Sequence, residues 1–275
     1  MKTKNIGFIG AGNMATSLIR GLLESGLSAA NIWITDINSE AETAMAANLH
    51  VNIAQSNIDL VHAVDVVVLA VKPQVLRAVA QQIAAAVNDR PVLVVSIAAG
   101  ITQSSLSQWL GQEVAIVRCM PNTPALVLTG ATALHANAQV NAEQRDLAEN
   151  ILRAVGISLW VENEAQLDAV TAVSGSGPAY YFLLMEAMEK AALSLGLTEQ
   201  QARLLILQTA LGAAKIAMES SEAPGTLRQR VTSPGGTTQA AISCFEQGEF
   251  AALVGKALQA AHDRSVAMSK ELGAI

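Results

Sequence analysis

Residues 5–26 read NIGFIGAGNMATSLIRGLLESG and contain the change from strand pattern to helix pattern that decides the fold. The apolar run NIGFIG, at 5–10, is typical of a buried strand. Residues 13–25 follow with helical periodicity that ends at Gly26, a usual helix stop. The stretch therefore predicts a strand, a tight turn and a helix in immediate succession.

The turn itself, GAGNMA at 10–15, matches a dinucleotide-binding fingerprint. Gly10 permits the tight turn, and Gly12 lets backbone N–H groups approach a pyrophosphate at the positive end of the helix. Ala15 is small enough for the helix to pack on the strand. An ordinary glycine turn is the alternative, but the position between a strand and a helix favours a cofactor site.

Strands and helices keep alternating over the first 160 residues. The further predicted strands span residues 31–36, 65–71, 91–97, 114–119, 130–136 and 158–162. The predicted helices between them span residues 39–48, 74–87, 102–110 and 142–155. Short Val/Ile/Leu runs separated by helices indicate a parallel sheet covered on both faces. We therefore expect an α/β, Rossmann-type N-terminal domain with a mostly parallel sheet over residues 1–163.

Beyond about residue 164 the strand pattern stops, and an all-α domain is expected over residues 164–275. Its predicted helices span residues 178–195, 198–219, 237–247 and 249–272. The first two carry few charges around their whole circumference, which is typical of buried helices. Because so few helices offer little interior of their own, we expect them to bury against a second subunit in a homodimer.

Composition narrows the class of partner. Of 275 residues, 51% are hydrophobic and only 3% aromatic, and the net charge is −6. Such a chain has little aromatic stacking surface and no net positive charge with which to bind nucleic acid or an anionic membrane. Without a long apolar span or a signal-peptide pattern, a cytoplasmic protein is expected. Cys119 and Cys244 do not make a disulfide framework, and their pairing is left open.

Asp36 ends the second predicted strand, 21 residues after Ala15. A carboxylate there would accept hydrogen bonds from the adenosine ribose and repel a 2′-phosphate. The alternative is that Asp36 caps the helix that begins near Ser39. The following residues bring no arginine, so NADH should be tolerated and could be preferred.

The stretch TSPGGTT, at 232–238, is the clearest candidate for substrate binding. Pro234 restricts the turn, and the glycines leave the backbone bare before a helix begins at Thr237. Free N–H groups at a helix start form an anion site that suits a substrate carboxylate. Simple N-capping of the helix explains the same residues equally well.

Six motifs then occur in order: GFIGAGNMA, LAVKPQ, SIAAGI, RCMPNTPALV, SGSGPAY and SPGGTT. Together they resemble the Δ1-pyrroline-5-carboxylate reductases from residue 5 to about residue 270. The resemblance implies reduction of a cyclic imine to L-proline by hydride transfer from NAD(P)H, the last step of proline biosynthesis. It also implies a helical C-terminal domain that interlocks with a second subunit, and possibly a decamer built from dimers.

The resemblance carries site residues with it. The implied cofactor contacts are Gly10, Gly12, Asn13, Met14, Asn57, Ala70, Val71, Lys72, Pro73, Ala98 and Ala99. The family mostly favours NADPH, and Asp36 departs from the small or cationic residues often found there, so NADP(H) or NAD(H) is expected. The resemblance makes Thr238 catalytic, with its hydroxyl on the substrate ring nitrogen, and lifts the carboxylate interpretation of the turn above capping. The implied substrate contacts in that turn are Ser233, Gly235, Gly236, Thr237 and Thr238.

The elbow RCMPNTPA, at 118–125, follows a predicted strand and two prolines fix its direction. Met120 and Asn122 can face the nicotinamide edge there, and Cys119 is most simply a small core residue. The segment SGSGPAY, at 174–180, opens the first C-terminal helix. Ser174, Ser176 and Gly177 are expected to line the same cleft as the elbow.

Hydride addition to a C=N bond is easiest when the nitrogen is protonated, so the site needs to hold an iminium and exclude water. His135 and His262 stand alone in the sequence and are expected to be structural or exposed. Lys72 is expected to be a cofactor-loop residue or a solvated charge, and not the proton donor. No metal site is predicted.

Three alternatives stay open at this point. A hydroxyacid-type dehydrogenase would share the architecture, but it normally needs a Lys or His base. A non-catalytic nucleotide sensor would have no use for the anion site at 232–238. A related imine reductase acting on another ring size cannot be separated by sequence.

Overall fold

A computed structural model describes residues 4–273, and its centre is an eight-stranded sheet. The strands are β1 (Ile6–Ile9), β2 (Ile32–Thr35), β3 (Asn52–Ile53), β4 (Val66–Leu69), β5 (Leu93–Ser96), β6 (Ala115–Met120), β7 (Gly130–Ala136) and β8 (Gly156–Trp160). They lie in the order β3-β2-β1-β4-β5-β6-β7-β8. All neighbours pair in parallel except β6 and β7, which are antiparallel. The mostly parallel, Rossmann-type sheet is therefore confirmed.

Helices cover both faces of this sheet, as its continuous apolar strands predict. They are α1 (Asn13–Glu24), α2 (Ser39–Leu49), α3 (Asn57–Ala63), α4 (Pro73–Asn88), α5 (Gln103–Leu110), α6 (Ala142–Arg153) and α7 (Gln166–Val170). In β4, Val66 and Val68 enter the core under α1, α2 and α6, while Val67 and Leu69 enter the core under α3, α4 and α5. The alternation of a strand's side chains thus builds two cores from one four-residue run.

The rest of the described chain is helical, with α8 (Gly177–Ser194), α9 (Glu199–Glu219), α10 (Pro224–Arg230), α11 (Thr237–Gln247) and α12 (Phe250–Gly273). Helix α9 begins with the predicted capping box, in which Thr198 and Gln201 bond each other's backbone N–H groups. The only buried residues of α8 and α9 are Gly177, Ala202 and Ile206.

The chain forms two compact units. One holds the residues up to Ser176 together with those from Ala261 onwards, and the other is Gly177–Ala260. The first unit extends past residue 163 because α7 contacts β6 and β7. The end of α12 belongs to it too, and there the Ser265 hydroxyl donates to Asp168 Oδ1 at 2.6 Å. Domain limits of 1–163 and 164–275 stay a prediction.

Several short elements were not predicted from the sequence: β3, α3, α7 and α10. A two-residue strand and helices of five to seven residues are too short for a clear periodic pattern. Strand β8 was predicted over 158–162 but begins at Gly156, whose φ of +150° reads locally as a break. That glycine is needed because a methyl group on it would lie 2.0 Å from the Gly130 carbonyl oxygen on the paired strand.

No helix in the described part of the chain combines the length and apolar character needed to cross a bilayer.

Candidate active site

The glycine turn after β1 has the predicted geometry. Gly10 has a φ of +108°, and a methyl group on it would lie 2.6 Å from the Ala70 carbonyl oxygen. Gly12 is the N-cap of α1, no side chain bonds the first N–H groups, and the space beside its Cα is open. Unpaired amides at the positive end of a helix suit a pyrophosphate. The residues present therefore fit a dinucleotide, with Asn13 and Met14 opening the helix.

Asp36 lies against this turn. Its Oδ2 accepts a hydrogen bond from the Ala11 N–H at 2.6 Å, and its Oδ1 accepts one from the Asn38 N–H at 2.7 Å. The interpretation of Asp36 as the cap of α2 is wrong. Asn38 caps that helix, because its side chain accepts from the N–H groups of Glu40 and Ala41.

Asn57 is held at the start of α3 by two side chains. Its Oδ1 accepts from the Thr35 hydroxyl at 2.6 Å, and its Nδ2 donates to Gln82 Oε1 at 2.8 Å. Thr35 is the buried last residue of β2. The amide of Asn57 is thus oriented beside the strand that ends in Asp36.

The loops after β4 and β5 lie at the same edge of the sheet as the glycine turn. The register pairs Ile9 with Leu69 and Leu69 with Ser96. The chain therefore leaves the three strands side by side, and the residues predicted to contact the cofactor follow directly. They are Gly10, Ala70, Val71, Lys72, Pro73, Ala98 and Ala99.

Lys72 is the N-cap of α4, with Pro73 in the first helical position and no side-chain cap. Its own side chain is exposed. Pro73 has no N–H group and the Val75 N–H already donates to the Lys72 carbonyl at 3.1 Å, so a contact of Lys72 with the cofactor stays a prediction.

The elbow after β6 is fixed to its surroundings by Asn122. The Asn122 Nδ2 donates to the Ser174 carbonyl at 3.0 Å, and its Oδ1 accepts from the Ala131 N–H at 2.9 Å. Met120 packs against Gly175, since its Cε would lie 2.5 Å from a methyl group there. The structure thus brings the elbow and the 174–176 segment together. The Asn122 amide holds the loop, and its contact with a nicotinamide stays a prediction.

The segment before α8 is a π-helical turn over Thr171–Gly175. The Ser174 hydroxyl donates to the Val170 carbonyl at 3.1 Å, and the Ser176 N–H donates to the Thr171 carbonyl at 2.8 Å. Gly177 then begins α8. π-turns of this kind are frequent at functional sites.

A buried ion pair beneath the elbow was missed by the sequence analysis. Glu164 Oε1 accepts from Arg118 Nη1 at 2.8 Å and from the Gln103 N–H at 2.7 Å. The Gln103 side chain bonds the carbonyls of Ile116 and His135, and its Oε1 lies 2.9 Å from His135 Nδ1. His135 is therefore structural, as expected. Sequence separations of 46 and 61 residues left no local signal for this cluster.

The turn at 232–238 lies in the second unit. Gly236 is the N-cap of α11, and no side chain bonds the first N–H groups of that helix. Thr237 and Thr238 follow the N-cap as the first two residues of the helix, and both are exposed. The side chain of Gln239 accepts from the Gly235 N–H, and the Gly236 N–H donates to the Ser233 carbonyl at 3.0 Å. The interpretation of simple side-chain N-capping is wrong, and the bare amides suit a carboxylate.

Glu222, a carboxylate that lies shortly before this turn in the sequence, was also not predicted. Glu222 forms a salt bridge with Arg230 through Oε1, which links the two ends of α10. Its Oε2 is buried and has no partner among the described residues.

Neither cysteine is paired. Cys119 is buried in the first unit, where burial raises the pKa of its thiol well above the usual range, and Cys244 is exposed. Cys119 is thus a core residue, as expected from sequence.

Two family models match the chain. The one described as pyrroline-5-carboxylate reductase dimerisation matches residues 164–268, and the one described as NADP oxidoreductase, coenzyme F420-dependent, matches residues 5–100. The pyrroline-5-carboxylate reductase of Pseudomonas aeruginosa is 54% identical over 99% of this chain and 100% of that protein. The Escherichia coli reductase is 38% identical over 97% of this chain and 99% of that protein.

Solved structures of the same kind of reductase are similar to this chain in fold. A pyrroline-5-carboxylate reductase from Coxiella burnetii is 44% identical, with a TM-score of 0.93 over 97% of this chain and 99% of that one. The Plasmodium falciparum reductase, solved with NADP bound, is 30% identical, with a TM-score of 0.85 over 98% of this chain and 99% of that one. The glycine turn, the bare start of α11 and full-length similarity in sequence and fold therefore agree, and the chain belongs to the pyrroline-5-carboxylate reductase family.

Proposed function

We propose that this protein reduces 1-pyrroline-5-carboxylate to L-proline with NAD(P)H, the last step of proline biosynthesis. One observation carries the proposal: within a chain of this family, two helices begin at a glycine N-cap without a side-chain cap, at Gly12 and at Gly236. The first suits a dinucleotide pyrophosphate and the second a substrate carboxylate.

The nicotinamide cofactor, when bound, supplies the hydride. Its pyrophosphate would lie on the N–H groups that begin α1, and the loops after β4 and β5 would flank it through their backbone amides. Met120 and the Asn122 elbow would form a rigid wall for the nicotinamide ring. Asp36 and Asn57 would contact the adenosine side. Each role is proposed from geometry within the first unit.

In the second unit, the backbone of the 233–237 turn would hold the substrate carboxylate and the Thr238 hydroxyl would bond the ring nitrogen. Ser174, Ser176 and Gly177 are proposed as further substrate contacts. Holding the imine in one orientation would supply much of what such a reduction needs.

The atoms balance without a protein acid. The hydride forms a C–H bond at the imine carbon, the C=N double bond becomes a single bond, and the electron pair remains on nitrogen. A substrate that arrives protonated from solution already carries the proton that the amine product keeps. Histidine and lysine side chains are then not required as donors, in agreement with the structural role of His135.

We propose a homodimer formed through the helical region, in keeping with the family model over residues 164–268, and a decamer assembled from such dimers. The exposed apolar side chains of α8 and α9 support this assembly. We also propose a cytoplasmic location without nucleic-acid or membrane partners.

The test follows nicotinamide absorbance with racemic 1-pyrroline-5-carboxylate and identifies the product as L-proline. Thr238→Ala should lower kcat/KM roughly 5- to 150-fold, because one hydrogen bond is worth about 1–3 kcal/mol. Thr238→Ser keeps the hydroxyl and is the matched control. Absence of proline formation by a folded protein that binds the nucleotide would overturn the reaction, and unchanged kinetics in Thr238→Ala would overturn the role of Thr238.

A further inference from the structure

The stretch of sequence on either side of the end of β2 contains no lysine or arginine. Between Arg20 and Lys72 there is no lysine or arginine. The same stretch contains six carboxylates: Glu24, Asp36, Glu40, Glu42, Asp59 and Asp65. Three of the six fall within the seven residues that follow β2. The charge there is therefore strongly one-sided.

Asp36 is fixed in this region by the backbone. Each of its carboxylate oxygens already accepts one N–H, from Ala11 on the glycine turn and from Asn38 at the start of α2. A carboxylate has about four acceptor positions, so about two remain for hydroxyl donors. The side chain cannot rotate away from an incoming group without breaking both bonds.

Glu42 adds a second carboxylate at the same place. Its Oε1 accepts from the Asp36 N–H at 3.0 Å, so the Glu42 side chain turns back from α2 to the end of β2. Two carboxylates are thus held by hydrogen bonds where the adenosine ribose of a Rossmann cofactor lies.

The flanking cations do not neutralise this charge. Arg20 lines a groove with Ala125 and Leu128, on the side of α1 that faces the elbow. Lys72 follows β4, which is two strands away from β2 in the sheet. Ile37, the residue after Asp36, is fully exposed and apolar.

We infer that Asp36, assisted by Glu42, makes this enzyme prefer NADH to NADPH, although a relative in the family was solved with NADP bound. The ribose 2′-hydroxyl of NADH can donate to the free positions of Asp36. A 2′-phosphate adds about −1.5 to −2 charges and only acceptors, so it meets the repulsion of both carboxylates, and no lysine or arginine between Arg20 and Lys72 compensates for it. This inference rests on the proposed function, because it assumes that a nicotinamide dinucleotide binds at the glycine turn.

The experiment measures dissociation constants of NADH and NADPH for the full chain by titration calorimetry, at about 20 mM and about 300 mM salt. We expect NADPH to bind at least about tenfold more weakly at low salt, with the ratio narrowing at high salt as the charges are screened. A purely steric exclusion would not respond to salt.

Three variants test which residues cause the preference for NADH. Glu42→Gln should lower the NADPH/NADH ratio of dissociation constants about two- to fivefold, and Asp36→Ser with Ile37→Arg should invert it by supplying a guanidinium for the phosphate. Glu40→Gln is the matched control, since Glu40 is in the same helical turn but its carboxylate does not bond the end of β2. It should leave the ratio near the wild-type value.

Equal or tighter binding of NADPH by the wild type would overturn this inference and leave the proposed function intact. A ratio that ignores both salt and the Asp36 variant would overturn it as well. Failure of both nucleotides to bind the folded protein would overturn the proposed function and this inference together.

Discussion

Glu164→Ala tests the buried ion pair beneath the elbow. The substitution removes the oxygen that accepts from Arg118 Nη1 and from the Gln103 N–H. It leaves a guanidinium on β6 without its carboxylate, and it leaves the first amide of α5 without an acceptor. The loop after β5 precedes Gln103, and the elbow after β6 follows Arg118. The substitution therefore also tests how these two loops beside the proposed nicotinamide position are anchored.

The magnitude follows from burial. Removing one partner of a fully buried pair costs about 3–5 kcal/mol, because the other charge stays buried and unpaired. The Arg118 side chain is 6% exposed, but that of Glu164 is 25% exposed, so water can partly replace the lost oxygen. The Gln103 amide adds the loss of a charge-assisted hydrogen bond, and we expect a total of about 2–4 kcal/mol in the free energy of unfolding.

The measurement is urea unfolding at a fixed protein concentration, because association adds to apparent stability. Glu164→Gln keeps an acceptor oxygen for both donors and should lose about half as much. Glu162→Ala, on an exposed carboxylate two residues away, is the matched control and should stay within about 0.5 kcal/mol of the wild type. A Glu164→Ala loss no larger than that of the control would refute the assignment of a stabilising buried pair.

Two further substitutions test the turn and the cysteines. Gly10→Ala forces a methyl group against the Ala70 carbonyl at a φ of +108°, which costs at least about 1–2 kcal/mol. NADH binding, measured by calorimetry, should weaken at least about tenfold. Unchanged binding would contradict the close approach of the two strand ends. Cys244→Ser leaves Cys119 as the single thiol, and because burial raises its pKa, a thiol reagent at about pH 8 should label it only after unfolding. Rapid labelling of the native variant would show that Cys119 is accessible.

The sheet could be predicted because its information is local. In β4 and the two residues after it, six consecutive apolar residues between Asp65 and Lys72 require burial on both faces, and a parallel sheet covered by helices supplies it. Gly10 was predicted for a similar reason, since a strand that turns directly into a helix needs a residue free to adopt a positive φ. The two-residue strand β3 and the helices of one or two turns lack such a pattern, and β3 forms because the neighbouring strand provides a partner.

Site details that depend on distant contacts were not predictable. Asp36 was expected to bond a ribose, but the sequence could not show that Ala11, 25 residues away, fixes its carboxylate. Asn122 was expected to face the nicotinamide, and the structure shows its amide bonded to Ser174 and Ala131. In both cases the contact with the cofactor stays a prediction, and the partners seen in the structure depended on which segments the fold brings together.

The helices α8 and α9 expose large apolar side chains, which bears on the assembly of the protein. Tyr181, Phe182, Leu204, Leu205 and Leu211 are each between 57% and 67% exposed in the single chain. Apolar helices without a polar face are stable in water only when something covers them, and each exposed leucine forgoes about 1.5–3 kcal/mol of burial. The sequence predicted that these helices are buried against a second subunit, and in the single chain most of their apolar side chains are exposed. A second copy of the chain would offer the same apolar face by symmetry, so the proposed homodimer would provide the burial that the sequence pattern predicts.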